Sequence, residues 1–203
     1  MDMAAAIKEI RARLPQRGCF TLGIDGLGGA GKSTLSQALV EAFGRERPMI
    51  LLHLDDFIHP RSIRYNDSVP EWRCYYELQW RYDYVLPLLQ RLKREASGRV
   101  EVELYNKEQD SYDVQEFTLQ PDLLIVVEGV FLQREELAGA FDCVLYLDVP
   151  EEERLRRVLE RDGYIGSREE IADKYARRYF PAEREYLRRC SPRERADLVV
   201  EAV

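Results

Sequence analysis

The sequence has few cysteines and no long apolar segment. Its four cysteines are widely spaced and include no C-x-x-C pair, so neither a zinc site nor a disulfide framework is predicted. No apolar run approaches the length that crosses a membrane, and residues 1–13 form a charged, alanine-rich amphipathic pattern rather than a secretory signal. We therefore expect a cytoplasmic protein with no membrane partner.

The sequence also lacks an excess of basic residues. It has 30 Lys and Arg against 37 Asp and Glu, which gives a formal net charge of −7. Nucleic acids attract proteins mainly through positive charge, so nucleic acid is not an expected partner either. The 203 residues suffice for one α/β domain, and no linker or internal repeat divides them. We expect a single domain over residues 1–203 and leave its assembly into a homo-oligomer open.

The most informative feature that is present is the segment GLGGAGKST at residues 26–34, which fits the pattern G-x-x-x-x-G-K-[ST]. A buried strand is predicted before it, over residues 19–25, and a helix after it, over residues 34–43. Glycines let successive backbone N–H groups point at phosphate oxygens, and the helix N-terminus adds its positive dipole end. Lys32 can reach the β- and γ-phosphates, and the Ser33 hydroxyl can ligate Mg²⁺.

We refer to residues 26–34 as the phosphate loop and predict that it binds a nucleoside triphosphate. The residues expected to contact the nucleotide are Gly26, Gly28, Gly29, Ala30, Gly31, Lys32, Ser33 and Thr34.

Apolar runs separated by charged segments with helical spacing predict an α/β fold with a parallel sheet of about five strands flanked by helices. The runs lie at residues 19–25, 49–54, 123–128, 143–149 and 198–200.

Two further segments are predicted to serve the acceptor side of the site. Residues 99–105 and 114–119 alternate apolar and polar side chains around a polar connector, which predicts an inserted β-hairpin over residues 99–119. A hairpin at the mouth of the sheet could contact an acceptor substrate. Residues 150–190 are predicted to be helical and to form a lid region.

Carboxylates follow two of the predicted strands. Asp55 and Asp56 end the second strand, and Glu128 ends the third. In an open parallel sheet, functional groups gather beyond the carboxyl ends of the strands. Asp55 is the preferred base for a substrate hydroxyl and a candidate Mg²⁺ group, with Asp56 as the alternative base, whereas Glu128 would act on Mg²⁺ through water.

Arginines and aromatic residues supply the remaining candidates. Arg154, Arg157 and Arg161 share one face of a helix predicted over residues 151–162, where Arg157 and Arg161 could neutralise phosphate charge or simply pair with neighbouring acids. The segment 69–94 is rich in aromatic rings, most of which are expected to pack in the core. Its candidates for stacking on a base are Tyr75, Tyr76 and Trp80.

These features occur in the same order as in a known family. The phosphate loop, LDDF at 54–57, Tyr105 in the hairpin, the ending EG at 128–129, RVLERD at 157–162 and ADLVV at 196–200 resemble the uridine/cytidine kinase and phosphoribulokinase group of P-loop kinases.

The resemblance implies a P-loop NTPase fold and transfer of phosphate from ATP or GTP to the 5′-hydroxyl of a nucleoside such as uridine or cytidine. It implies Asp55 as the base, Lys32 and Arg161 as further catalytic groups, and Ser33, Asp55 and Glu128 as the Mg²⁺ groups. Arg157 would join the nucleotide contacts. The residues expected to contact the acceptor are Asp55, Phe57, Tyr76, Trp80, Tyr105 and Arg161.

The sequence departs from this group on the acceptor side. The Asp-His-Pro segment whose aspartate holds the ribose hydroxyls is replaced by WRCYYE at residues 72–77, and Asp110 stands near the position of the base-reading histidine. Other acceptors, such as nicotinamide riboside, pantothenate or a sugar phosphate, therefore stay open. A GTPase or ATPase switch is less favoured because NKEQ at 106–109 ends in glutamine where guanine recognition needs an acid, and no D-x-x-G motif follows the loop.

Overall fold

The computed structural model describes residues 1–95, 97–161, 163 and 166–201. Five of its strands form a parallel sheet in the order β2-β5-β1-β6-β7. The remaining two, β3 and β4, pair antiparallel as a separate hairpin. This architecture confirms the predicted five-stranded α/β fold with an inserted hairpin. The strands are β1 Phe20–Gly26, β2 Met49–His53, β3 Gly98–Asn106, β4 Ser111–Leu119, β5 Leu124–Gly129, β6 Cys143–Asp148 and β7 Leu198–Glu201.

Helices connect the strands and cover both faces of the sheet. They are α1 Met3–Arg13, α2 Lys32–Phe43, α3 Arg61–Arg64, α4 Glu71–Arg73, α5 Tyr82–Arg94, α6 Glu151–Arg161, α7 Arg168–Lys174, α8 Phe180–Cys190 and α9 Pro192–Arg195. Two wider π-helical turns follow α4 and α7, at Cys74–Leu78 and Tyr175–Tyr179. Of the predicted lid, residues 162, 164 and 165 lie outside the described residues. No helix in the described part of the chain is long and apolar enough to cross a membrane.

The apolar runs form strands that are buried because helices cover the sheet on both sides. Every residue of β1 and β5 is buried. On one face, side chains of β1 pack with α1 and α2, including Ile10, Leu35 and Leu39. On the other face, side chains of β2 and β5 pack with α5 and with the inner side of the hairpin. Burial on both faces explains why these strands show continuous apolar runs rather than alternation.

The tip of the hairpin contacts the segment that follows β2. Its strands pair from Gly98 with Leu119 to Asn106 with Ser111, so the turn is only residues 107–110, shorter than the polar connector expected at 106–113. Asp110 of this turn accepts a hydrogen bond from the Arg61 backbone N–H at 2.9 Å. The contact joins the tip of the hairpin to the start of α3.

Candidate active site

The phosphate loop joins β1 to α2 and contains two residues with left-handed backbone, Gly29 (φ +80°) and Gly31 (φ +93°). At Gly29 a side chain is also excluded by space, because a Cβ atom would lie 2.8 Å from the Arg154 carbonyl oxygen and 2.9 Å from Val158 Cγ1. Both of these atoms belong to α6. Glycine at this position therefore lets the loop pack against α6 as well as adopt its turn.

Lys32, the first residue of α2, folds back over the loop. Its ammonium group donates to the carbonyl oxygens of Gly26 at 2.9 Å and Leu27 at 3.2 Å. Burial lowers the pKa of Lys32, and the carboxylates of Glu128 and Asp55 oppose that shift by favouring the charged amine. The ammonium thus lies among the carboxylates at the strand ends.

Glu128, near the end of β5, lies between a hydroxyl and an imidazole. Its Oε1 is 3.4 Å from Ser33 Oγ and 2.7 Å from His53 Nδ1. Although burial alone would raise the pKa of Glu128, the His53 hydrogen bond and the charge of Lys32 outweigh it and hold that pKa below its usual value. The carboxylate is therefore charged at neutral pH.

The Ser33 hydroxyl and the Glu128 carboxylate are hard oxygen ligands of the kind that Mg²⁺ prefers, so this pair fits that ion. Within the described residues no group of three or more His, Cys, Asp and Glu could hold a metal by itself. Mg²⁺ in nucleotide sites usually has few protein ligands and completes its shell with phosphate and water. The arrangement is compatible with that mode of binding.

The two candidate bases point into different surroundings. Both lie in the short 3₁₀ turn Leu54–Asp56 that follows β2. Asp55 is exposed and lines the cavity above the phosphate loop. Asp56 is half-buried, and burial raises its pKa. Asp55 is thus the aspartate available to a molecule in the cavity.

Two cavities meet at the phosphate loop. One, with a volume of about 250 Å³, extends from the loop past Asp55 and Glu128 to Tyr75 and Arg178; we call it the inner cavity. The other, with a volume of about 290 Å³, is the outer cavity and is lined by Thr34 and Arg157 among others. The residues that line both cavities are Gly29, Lys32, Ser33 and Arg161.

Most of the aromatic residues expected at the acceptor lie in the core. Phe57 is 1% exposed and stacks on Tyr84 with ring centroids 6.1 Å apart. Trp80 and Tyr76 are buried and pack edge-to-face against Phe131. Tyr76 also borders a separate cavity at the end of α8.

The hairpin residue Tyr105 is buried as well. Its hydroxyl donates to Asp110 and accepts a 2.6 Å hydrogen bond from Arg64. Of the residues predicted to contact the acceptor, the inner cavity is lined by Asp55 and Arg161. Tyr75, considered in sequence only for stacking, lines it too.

The arginines of α6 differ in environment although the helix period places them on one face. Arg157 pairs with Glu153 at 2.6 Å, and Arg161 borders both cavities. Arg154 is buried and pairs with the buried Glu183 of α8 at 2.8 Å. The shared helical face therefore did not indicate which arginine was buried.

Sequence reasoning missed Glu183 and Arg178. The second Glu183 oxygen accepts the Gly28 backbone N–H at 2.9 Å, so this carboxylate contacts the phosphate loop directly. Burial raises the pKa of Glu183, and Arg154 opposes the shift. Arg178 lies in the π-helical turn before α8 and lines the inner cavity. Both belong to a charged segment in which no local pattern distinguishes buried positions from solvated ones.

The model of the phosphoribulokinase/uridine kinase family matches residues 21–203. A solved structure of a possible uridine kinase from Bacillus stearothermophilus has 32% identity and a TM-score of 0.77, covering 98% of this chain and 96% of that one. A uridine kinase of Streptococcus equi subsp. zooepidemicus is 26% identical over 189 residues, covering 88% of this chain and 85% of the relative.

A more distant solved structure is D-glycerate 3-kinase from Cryptococcus neoformans var. grubii. Its TM-score is 0.57 at 13% identity, covering 89% of this chain and 84% of that one, so the likeness concerns the fold alone.

Proposed function

The chain belongs to the phosphoribulokinase/uridine kinase family and is a phosphotransferase acting on an alcohol group, and we propose that it transfers the γ-phosphate of Mg²⁺-bound ATP to a hydroxyl of a small molecule in the inner cavity. The observation that carries the proposal is the meeting of the two cavities at Lys32, Ser33 and Arg161. A donor in the outer cavity and an acceptor in the inner one would meet at the phosphate loop. Such positioning is the main source of catalysis in phosphoryl transfer.

Each group near the junction has a role in this proposal. Asp55 accepts the proton of the acceptor hydroxyl as its oxygen bonds to the γ-phosphorus, while the bond from that phosphorus to the β–γ bridging oxygen breaks and ADP leaves. Lys32 and the loop N–H groups stabilise charge on the phosphate oxygens, and Arg161 adds charge from α6. Ser33 and Glu128 would hold Mg²⁺, which when bound neutralises charge on the phosphates. We assign the same proposed function of charge neutralisation to Arg157 in the outer cavity.

Two chain segments would complete the site. Lys107 at the tip of the hairpin lines the inner cavity, so we assign the hairpin a contact with the acceptor. Arg161 of α6 lines both cavities, which supports a proposed role of residues 150–190 as a lid over the site. Both segments and the sheet would act together as one kinase domain.

A nucleoside is the first acceptor to test, because the curated relatives at 26% identity are uridine kinases. Acceptors of other classes stay in the test because the inner cavity has cationic side chains away from the loop, including Arg64 and Arg178.

The experiment is transfer of label from γ-labelled ATP, with Mg²⁺, to a panel of acceptors. The panel contains uridine, cytidine, nicotinamide riboside, pantothenate and ribose 5-phosphate, and the Lys32→Ala variant is the blank. Label on an acceptor with wild-type protein and none with the variant is the expected result. Hydrolysis of ATP without label on any acceptor, together with a conformational change on nucleotide binding, would favour a nucleotide-driven switch and refute the proposal.

A further inference from the structure

The inner cavity is lined by cations from two sets of segments, of which the first, Lys32 and Arg161, borders the phosphate loop. Among the described lining residues, the carboxylates are those of Asp55, Glu128 and Glu183. Glu128 contacts Ser33 and Glu183 contacts Gly28 of the phosphate loop. The lining residues contributed by α3, the hairpin tip and the second π-helical turn include three cations, Arg64, Lys107 and Arg178. Among the described lining residues, those three segments contribute no carboxylate.

Arg178 is a buried cation whose partners are neutral. It is 3% exposed, and its guanidinium donates to Gln79 Oε1 at 2.8 Å and to the Glu71 carbonyl oxygen at 3.4 Å. It also lies 5.1 Å from the ring centre of Tyr65 and 5.3 Å from that of Tyr75. Among the described residues it forms no ion pair within 4.0 Å. Burying a charge without a counter-charge is costly, so a cation at this place indicates that an anion is supplied from elsewhere.

Arg64 offers a second incomplete donor group in the same cavity. One of its nitrogens bonds to the Tyr105 hydroxyl at 2.6 Å, and that hydroxyl in turn donates to Asp110. Its Nε is buried and has no hydrogen-bond partner in the described part of the chain. A buried donor without an acceptor is unfavourable, and a bound anionic oxygen would supply the missing acceptor.

We propose that the acceptor substrate carries an anionic oxygen group, a phosphate or a carboxylate, that binds in the inner cavity to Arg178 and Arg64, which both lie against the Tyr65 ring. Arginine suits such a group because its planar fork can make two parallel hydrogen bonds to phosphate or carboxylate oxygens. Lys107 on the hairpin adds a further positive charge to the lining of the inner cavity. This inference rests on the proposed kinase function and narrows its acceptor from any alcohol to an anionic alcohol.

The first test measures anion binding without requiring the true acceptor. Inorganic phosphate is titrated while saturating Mg·ADP occupies the phosphate loop, and the unfolding temperature is recorded for wild type, Arg178→Gln and Arg177→Gln. Arg177 is the matched control, because it is the adjacent arginine but is exposed and paired with Glu71 and Asp173.

Phosphate is expected to raise the unfolding temperature of wild type and Arg177→Gln, and to have little effect on Arg178→Gln. A response of equal size in all three proteins, or in none, would overturn the inference. Circular dichroism of each variant without ligand checks that Arg178→Gln is folded, and Arg178→Lys, which keeps the charge, should restore part of the response.

The second test uses acceptor pairs that differ only in the anionic group. Ribose 5-phosphate is compared with ribose for the phosphate source, and pantothenate with panthenol for the carboxylate source. We expect one anionic member to exceed its neutral partner at least about tenfold in kcat/KM, because the anionic group accepts charge-assisted hydrogen bonds that the neutral group cannot. Arg178→Gln should remove that advantage while leaving the KM for ATP unchanged.

The outcomes separate this inference from the kinase proposal. Efficient phosphorylation of uridine or cytidine with a KM unaffected by Arg178→Gln would overturn the anionic acceptor and leave the kinase standing. Hydrolysis of ATP with no label on any acceptor would refute the kinase proposal itself.

Discussion

The ion pair between Arg154 and Glu183 supports a prediction about how the phosphate loop is held. These side chains are 4% and 3% exposed, and they meet at 2.8 Å. Arg154 also donates to the carbonyl oxygens of Gly28 at 3.0 Å and Val149 at 3.1 Å, while Glu183 accepts the Gly28 N–H. The pair therefore ties α6 and α8 to both backbone groups of Gly28. The perturbation we consider is Arg154→Met, which keeps much of the side-chain length and removes the charge.

The expected loss of stability is large for a single substitution. Removing one partner leaves the buried Glu183 without its counter-charge, and such losses are about 3–5 kcal/mol. A domain has only about 5–15 kcal/mol of total stability, so Arg154→Met should remove a substantial part of it. Burial already raises the pKa of Glu183, and loss of Arg154 should raise that pKa further.

Urea unfolding of wild type and variants, followed by circular dichroism, measures this loss. Arg156→Met is the matched control on the same helix, because its ion pairs with Glu153 and Glu160 are at the surface and should contribute less than about 1 kcal/mol. The double variant Arg154→Met/Glu183→Gln should recover part of the loss, since no unpaired charge stays buried. A loss below about 1 kcal/mol for Arg154→Met, or no recovery in the double variant, would refute this reasoning.

Three other substitutions, one of them with a matched glycine control, have distinct expected results. Gly29→Ala should weaken ATP binding measured by calorimetry, because its Cβ would lie 2.8 Å from a backbone oxygen of α6. The control is Gly139→Ala, since Gly139 has a similar left-handed φ but open space around it. This control should lose only about 1–2 kcal/mol of stability in thermal unfolding and keep its ATP binding. Tyr186→Phe removes a hydroxyl that donates to the fully buried Asp25 and should cost about 1–3 kcal/mol in urea unfolding; an unchanged midpoint would contradict the importance of this bond. Asp55→Asn should lower kcat about 10²–10⁴-fold with ATP affinity retained, and an undiminished kcat would exclude it as the base.

The parts of the fold that were predicted are those specified by local sequence. The five sheet strands were found from their apolar runs, because a parallel sheet covered on both faces requires them. The hairpin was found from its alternation, although pairing continued farther toward the turn than expected. Local signals of this kind do not depend on knowing which elements pack together.

The residues of the candidate site were predicted less well from local sequence than the strands were. Trp80 and Tyr76 were predicted to stack on a ligand, yet they pack around Phe131. An aromatic ring can pack in a core as well as against a ligand, so residue type alone does not distinguish the two. Arg178 and Glu183 occur in a charged stretch that has the pattern of a solvated helix, and only tertiary packing buries them. Charge patterns on a helix therefore did not reveal which charges face a cavity.

This difference follows from how the two halves of the site are built. The predicted part of the loop end consists of one contiguous motif and of acids at strand ends, which the geometry of a parallel sheet brings together wherever the strands lie. The cationic lining proposed to bind the acceptor is assembled from Arg64 of α3, Lys107 of the hairpin and Arg178 of a π-helical turn, which are separated by tens of residues in sequence. A substitution in any one of these elements can alter the charge presented to the acceptor without disturbing the phosphate loop. Identity in the loop motif therefore predicts nucleotide binding, whereas the acceptor has to be inferred from the charges that the fold assembles around it.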